Sequence, residues 1–218
     1  MPWDRRWAVA HEASKADGSE WVPCANFSRG SKAPNLMAID AAVDETTGVL
    51  TLTHPDQKDI SFDPDGDISS FLEWVAPLMP QERAQSAKIL RVKDRGMTDT
   101  PYPSISINSH ASLNDLEAKI GQPMDARRWR GNLWVEGFSP WEELEWIGKR
   151  VQIGDVVFDV LDPVIRCLAT TANPDTGERD ADTLGALQSN WGHKNFGVYA
   201  KVIQSGQIKL GDKVQVLS

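Results

Sequence analysis

The chain has 218 residues, 40% hydrophobic and 25% charged, with a formal net charge of −8. That is the balance of a folded globular protein long enough for one large domain or two small ones, and its acidity excludes general affinity for a nucleic-acid polymer, whose phosphates need a basic surface. Two cysteines exclude a disulfide framework, no apolar run reaches membrane-spanning length and no secretory apolar segment opens the chain, so free thiols, a cytoplasmic location and no membrane are expected.

Arg6 to His11 reads as a short opening strand, followed by a loop-rich excursion from His11 to Ala33. Within it Cys24 has no motif around it and is assigned to packing, while Asn26 to Lys32 is a locally basic, solvated loop. Leu36 to Val43 and Val49 to Thr53 read as two strands joined by Asp44-Glu45-Thr46-Thr47-Gly48. The acidic turn Asp63-Pro64-Asp65-Gly66-Asp67 resembles part of a calcium loop. It lacks the closing Glu, because Trp74 stands there, and so predicts instead a cap by Asp67 for a helix over Ile68 to Leu78. Lys88 to Val92 is one more strand, and a boundary falls near Arg95-Gly96-Met97, ahead of the Pro-bracketed Asp99 to Pro103.

Ser104 to Ser109 alternates Ile105 and Ile107 with polar residues, which predicts one buried and one polar face. Ser112 is the expected cap of a helix over Leu113 to Ile120, and a strand-to-helix turn of this kind presents backbone N–H groups to an anion. Arg127-Arg128-Trp129-Arg130-Gly131-Asn132 is a concentrated basic cluster. It reads either as a phosphate clamp with Trp129 against a flat ring, or as a loop salt-bridged to Glu142, Glu143 or Glu145. Those three carboxylates read as a solvated face rather than a glycosidase pair. Val151 to Leu161 is hairpin material that leads into Pro163 to Glu178, the stretch around which the chain is organised. There a strand end delivers Arg166, Cys167, Thr170 and Thr171 into a turn enforced by Pro174 and Gly177. An adjacent guanidinium favours the reactive thiolate, whereas a free Cys at a strand end is commonly a small buried hydrophobe. Beyond it, Arg179 to Leu184 starts a helix, His193 to Tyr199 enters a strand, and Ile208 to Leu210 and Val214 to Val216 are the last strands.

Arg166-Cys167-Leu168-Ala169-Thr170-Thr171, followed by Asn173-Pro174-Asp175-Thr176-Gly177-Glu178, resembles the signature of the MOSC family, the molybdenum-cofactor sulfurase C-terminal domains. Arg130 to Leu133, Phe196 to Tyr199 and Gly206 to Val216 extend the likeness, and Asp4 to Val9 resembles the N-terminal β-barrel domain that precedes MOSC in amidoxime-reducing proteins. The resemblance implies a mainly β (α+β) fold: a small β-barrel domain over 1–95, lacking its first strand, and a MOSC β-barrel with short flanking helices over 96–218. The Lys-Ser segment that such relatives carry upstream does not precede Asp4.

The resemblance further implies a molybdenum cofactor, with Cys167 as catalytic residue and molybdenum ligand. Its cofactor contacts would be Arg5, Ser109, His110, Arg130, Asn132, Ile165, Arg166, Cys167 and Tyr199. It also carries the family's generic link to pyridoxal phosphate. The implied reaction is two-electron reduction of a small N-hydroxylated substrate. Because the chain has no ferredoxin-like Cys cluster and no Rossmann glycine fingerprint, electrons would come from a separate ferredoxin- or cytochrome-type protein with its reductase. Two other readings stand beside it: a carrier of the cofactor or of sulfur that reduces nothing, and a Cys-dependent acyl or sulfur transferase without a metal.

Overall fold

A computed structural model describes residues 3–217. The fold is mainly β and separates into two compact units, Met1–Pro103 with Thr171–Asp180, and Ser104–Thr170 with Ala181–Ser218.

In the first unit, β1 (Ala8–His11), β2 (Asp40–Val43), β3 (Leu50–His54), β4 (Gln57–Phe62), α1 (Ser69–Val75) and β5 (Ser86–Leu90) follow in order. β2, β3 and β4 form an antiparallel meander, and β1 pairs antiparallel with β5. The expected strand from Leu36 begins later, because Pro34–Ala38 is a 3-10 turn. β4 went unread in the sequence: its turn is only Pro55-Asp56, closed by Asp56 N–H donating to His54 Nδ1 at 3.1 Å. α1 is shorter than expected and is capped at Ile68 without a side-chain bond. Asp67 instead accepts from the N–H of Ser69 at 2.9 Å and from its hydroxyl at 2.6 Å, a local turn that competes with capping. The core joins Leu52, Phe62, Phe71, Trp74, Val75 and Leu78, with the Phe62 and Phe71 rings stacked at 5.0 Å.

The Asn173 to Glu178 turn belongs to this unit. Asn173 Oδ1 accepts from Asp175 N–H at 2.8 Å, and its carbonyl accepts from Gly177 N–H at 2.8 Å. Gly177 has φ +72° and a Cβ there would stand 2.5 Å from Asn35 Cα, so a side chain is excluded twice over.

The second unit holds β6 (Ile105–Ser109), α2 (His110–Ile120), β7 (Leu133–Val135), β8 (Arg150–Ile153), β9 (Val156–Ile165), α3 (Thr183–Trp191), β10 (Asn195–Gln204) and β11 (Val214–Leu217). They form a six-stranded sheet of order β11-β8-β9-β10-β6-β7 that curls into a half-barrel. Its pairs are antiparallel except β6 with β7. Ile107, Trp146, Val151, Phe158, Val160 and Val198 form one buried cluster; Leu113, Leu116, Trp129, Leu187 and Phe196 form a second, with residues of α2 and α3.

Several expectations change here. β6 has no solvent-facing polar side, since Ser106, Asn108 and Ser109 are as buried as Ile107. α2 starts three residues early, capped by Ser109, whose hydroxyl accepts from Ser112 N–H at a long 3.5 Å. Asp182 caps α3, which begins only at Thr183. Residues 208–210 are not a strand, and Leu210 is fully exposed.

Candidate functional site

β9 is a ten-residue strand whose pairing with β10 runs to Ile165 opposite Asn195, after which Arg166 N–H donates to Lys194 carbonyl at 2.8 Å. The next residue, Cys167, leaves the sheet with an exposed, free thiol. Ile165, 72% exposed, and Leu168, 48% exposed, leave apolar side chains in water close to it in sequence. Beyond it Leu168–Thr171 makes a 3-10 turn, in which the N–H and the hydroxyl of Thr170 both donate to Cys167 carbonyl at 3.2 Å. The Thr170 hydroxyl also meets that of Thr183 at 2.7 Å, both buried.

Arg166 turns inward. Its Nε donates to Phe196 carbonyl at 2.8 Å, Nη1 to Trp129 carbonyl at 2.7 Å and Nη2 to Asn108 Oδ1 at 2.9 Å. Its guanidinium lies 5.4 Å from the Trp129 ring centroid and 5.6 Å from that of Phe196. These bonds tie the Cys167 loop to β6, to β10 and to the 3-10 turn Ala126–Trp129. Asn108 sits in a slot made by two glycines. A Cβ on Gly131 would come within 1.9 Å of its Nδ2, and one on Gly197 within 2.0 Å of its Oδ1. Its Nδ2 is buried and without a hydrogen-bond partner among the described residues, a cost normally met by a ligand or ordered water.

The basic cluster divides. Arg127 forks onto Asp125, at 2.9 Å from Nε and 2.6 Å from Nη2, and this bond holds the Asp125 carboxyl below its usual range. Arg128 is buried. Trp129 is buried too, stacked on Phe196 at 3.9 Å, and so cannot serve as a wall for a ligand ring. Arg130 is exposed, with the left-handed φ of +47°. Asn132 Oδ1 accepts from the N–H of Ser106 at 2.9 Å and from its hydroxyl at 3.1 Å, which ties the start of β7 to β6. His110 opens α2, half-buried, with its ring 4.9 Å from that of Trp134. Tyr199, half-buried on β10, lies opposite Ser106 on one side and Asp162 on the other.

The second unit thus carries Ser109, His110, Arg130, Asn132, Ile165, Arg166, Cys167 and Tyr199; Arg5 belongs to the first. There its Nη1 lies 2.8 Å from both carboxylate oxygens of Asp4, and its φ is +49°.

Two further side chains depart from the sequence reading, and a third was missed by it. Glu143 is fully buried rather than solvated: its Oε2 accepts from Ser112 hydroxyl at 2.8 Å, and that hydroxyl accepts from Trp141 N–H at 2.8 Å. Burial pushes the Glu143 carboxyl above its ordinary value, against the hydrogen bond from Ser112. Cys24, assigned to packing, is exposed, and Arg29 Nη1 lies 3.1 Å from its sulfur. Asn108 went unsingled; the available signal was an amide interrupting Ile105-Ser106-Ile107, with glycines at 131 and 197 to receive it.

Among the described residues no three His, Cys, Asp or Glu side chains cluster as a metal site, and no helix is long and apolar enough to cross a membrane.

A family profile, the MOSC domain, matches residues 94–215. The chain is 30% identical over 152 residues to mitochondrial amidoxime-reducing component 1 of Mus musculus, covering 64% of this chain and 44% of that protein. To mitochondrial amidoxime reducing component 2 of Bos taurus it is 34% identical over 128 residues, 52% of this chain and 38% of the other. Molybdenum cofactor sulfurase of Anopheles gambiae is 30% identical over 131 residues, 55% of this chain and 17% of that one. The chain spans less than half the length of each of these relatives.

Proposed function

The chain belongs to the MOSC domain family, and from that premise we propose that it holds a molybdenum cofactor at the Cys167 loop and reduces small N-hydroxylated compounds. The observation that carries the reading is the exposed Cys167 thiol on a loop pinned by the three inward bonds of Arg166. The residues fit such a group. Cys167 is a soft sulfur donor and would suit molybdenum as the protein's ligand. Asn108 Nδ2 offers a buried amide without a partner, and Arg130 an exposed guanidinium beside Gly131 suited to a phosphate.

When bound, the cofactor supplies the two-electron chemistry. The overall reaction converts N–OH to N–H, takes up two electrons and two protons, and releases water. The chain's own part is to orient. Arg166 fixes where the loop leaves β9, Asn132 fixes the start of β7 next to Arg130, and Ser109 caps the helix that presents His110. Ile165 and Leu168, exposed close to Cys167 in sequence, offer apolar surface that favours substrates with an apolar body. The names of two relatives as amidoxime-reducing components support this reading, with electrons from a separate donor protein. The relative named molybdenum cofactor sulfurase supports a second, in which the chain carries cofactor or sulfur and reduces nothing.

Elemental analysis for molybdenum together with pterin fluorescence decides, on wild type and Cys167→Ser from a cofactor-competent host. Bound molybdenum that is lost in Cys167→Ser, with turnover of an N-hydroxylated substrate and an added donor, supports the reductase. Bound molybdenum without turnover supports the carrier. A well-folded protein that takes up no molybdenum overturns the reductase and the cofactor carrier, and leaves only the carrier of sulfur.

A further inference from the structure

The three acceptors on Arg166 have separate origins in the second unit: the carbonyls of Phe196 and Trp129, and the side-chain oxygen of Asn108. The Phe196 carbonyl comes from a break in the ladder. β10 pairs Val198 with Pro163 and Asn195 with Ile165, three steps against two, with Gly197 between them at a φ of +76°. A bulge of this kind leaves its extra residue outside the ladder, and buried backbone groups need a partner. Phe196 and Gly197 are both buried, and the Arg166 guanidinium supplies a partner to the Phe196 carbonyl at 2.8 Å. The 3-10 turn Ala126–Trp129 sets the carbonyl of Trp129 in its turn. Both of these acceptors are main-chain atoms, placed by the path of the backbone.

Asn108 is different, because its acceptor belongs to a side chain. It stands on β6 one position beyond the last pair of β6 with β10, Ile107 with Val198. The residue is fully buried, where an apolar side chain costs less than an amide. The chain nevertheless keeps two positions bare to seat it: a Cβ on Gly131 would overlap its Nδ2, and one on Gly197 its Oδ1. Gly131 has no positive φ to call for glycine, so the close approach of the amide is what requires it. A guanidinium only donates, so the oxygen and not the nitrogen of the amide must face Arg166. Seated in this way, Oδ1 fixes the outer end of the Arg166 side chain at 2.9 Å, and Cys167 is the next residue.

We propose that Asn108 is the positioning residue of the Cys167 loop: by holding the outer end of Arg166 from β6, it sets where the main chain leaves β9 and so where the thiol stands. The role rests on the reading that Cys167 is the working residue of the site, and Asn108 performs it through Arg166.

Amide hydrogen exchange of the full chain, prepared without cofactor, tests this. It is read at the N–H groups of Arg166 and Thr170, which donate to the carbonyls of Lys194 and Cys167. The control is the N–H of Val160, which lies in the same strand and donates to the Lys149 carbonyl. Asn108→Leu keeps most of the volume and removes the acceptor. Exchange at Arg166 and Thr170 is expected to quicken at least about tenfold, with Val160 unchanged within about twofold. Asn108→Asp, which keeps an acceptor oxygen toward the guanidinium, restores the slow rates. Gly131→Ala displaces the amide from the other side and gives the same local acceleration, which keeps the test decisive if Asn108→Leu misfolds. Unchanged exchange at the loop, equal acceleration at all three N–H groups, or no rescue by Asn108→Asp would each overturn the proposal. In protein from a cofactor-competent host, molybdenum content falls in Asn108→Leu and recovers in Asn108→Asp; full retention in Asn108→Leu would also overturn it. A wild type without molybdenum would count against the cofactor reading alone, and the exchange rates would still decide the role of Asn108.

Discussion

Two loops expose a free cysteine, and by local chemistry the less interesting one is better dressed. Cys24 opens the 3-10 turn Cys24–Asn26, which buries no residue, and Arg29 Nη1 sits 3.1 Å from its sulfur. Cys167 is equally exposed, yet the guanidinium next to it in sequence points away into the protein. What distinguishes Cys167 is the support behind it: a ten-residue strand, three buried acceptors on Arg166, and Asn108 wedged between two glycines. A site that must hold a reacting group to within a fraction of an ångström is built on rigid elements, and a neighbouring charge does not replace them.

That comparison can be broken most severely at Arg166. Arg166→Ala strands Asn108 Oδ1 and the carbonyls of Trp129 and Phe196, and we expect a loss on the order of 3 kcal/mol in urea denaturation, together with loss of any group bound at Cys167. Arg29→Ala, by contrast, changes stability by less than about 0.5 kcal/mol. A comparable loss in both would remove the distinction between the loops.

Next is Gly197→Ala. It places a Cβ 2.0 Å from Asn108 Oδ1 at a φ of +76°, and costs about 2 kcal/mol by strain and displacement of the amide. Asn108→Ala in the same background should relieve part of that cost; strictly additive losses in the double variant would show that the slot is not what constrains Gly197.

A gain is expected from Glu143→Gln. Burial raises the folded-state pKa of Glu143 above its unfolded value, so folding is favoured while both states are protonated. Its contribution is lost as pH rises from the ordinary glutamate range through the raised folded value. The amide removes the buried charge while keeping shape, and should stabilise by about 1 kcal/mol at pH 8, with the gain shrinking toward pH 4. Thermal melts across that range check it, and a gain that grows toward acid would refute the sign.

The smallest effect sharpens the comparison from the other side. Cys24→Ser should leave stability within about 0.5 kcal/mol and the alkylation rate of Cys167 unchanged. A thiol titration of the native chain should count two reactive sulfurs, falling to one in either Cys→Ser variant.

Much of this was legible beforehand because it depends on neighbours in sequence. The Asn173 to Glu178 turn was readable from Pro174 and Gly177, since an Asx turn and a left-handed glycine are local requirements. The strand before Cys167 was readable from its β-branched run, and the family from the motif that follows. β4 escaped because two residues sufficed for its turn, and the cap of α2 shifted from Ser112 to Ser109 because two serines three positions apart satisfy the same rule. Tertiary burial chose between them by giving the Ser112 hydroxyl to Glu143 and Trp141.

The chain by itself determined most of its strands and turns, the surplus of negative charge, and the Arg-Cys motif on the sixteen-residue stretch that marks its family. Only the tertiary structure decided what those side chains face. Arg166 faces inward, Trp129 is packed under Phe196, Glu143 is buried, and Asn108 is the amide at the centre. The reason is physical: backbone preference acts over a few residues, whereas whether a polar group meets solvent, a partner or a ligand is set by strands far apart in sequence that the sheet brings side by side.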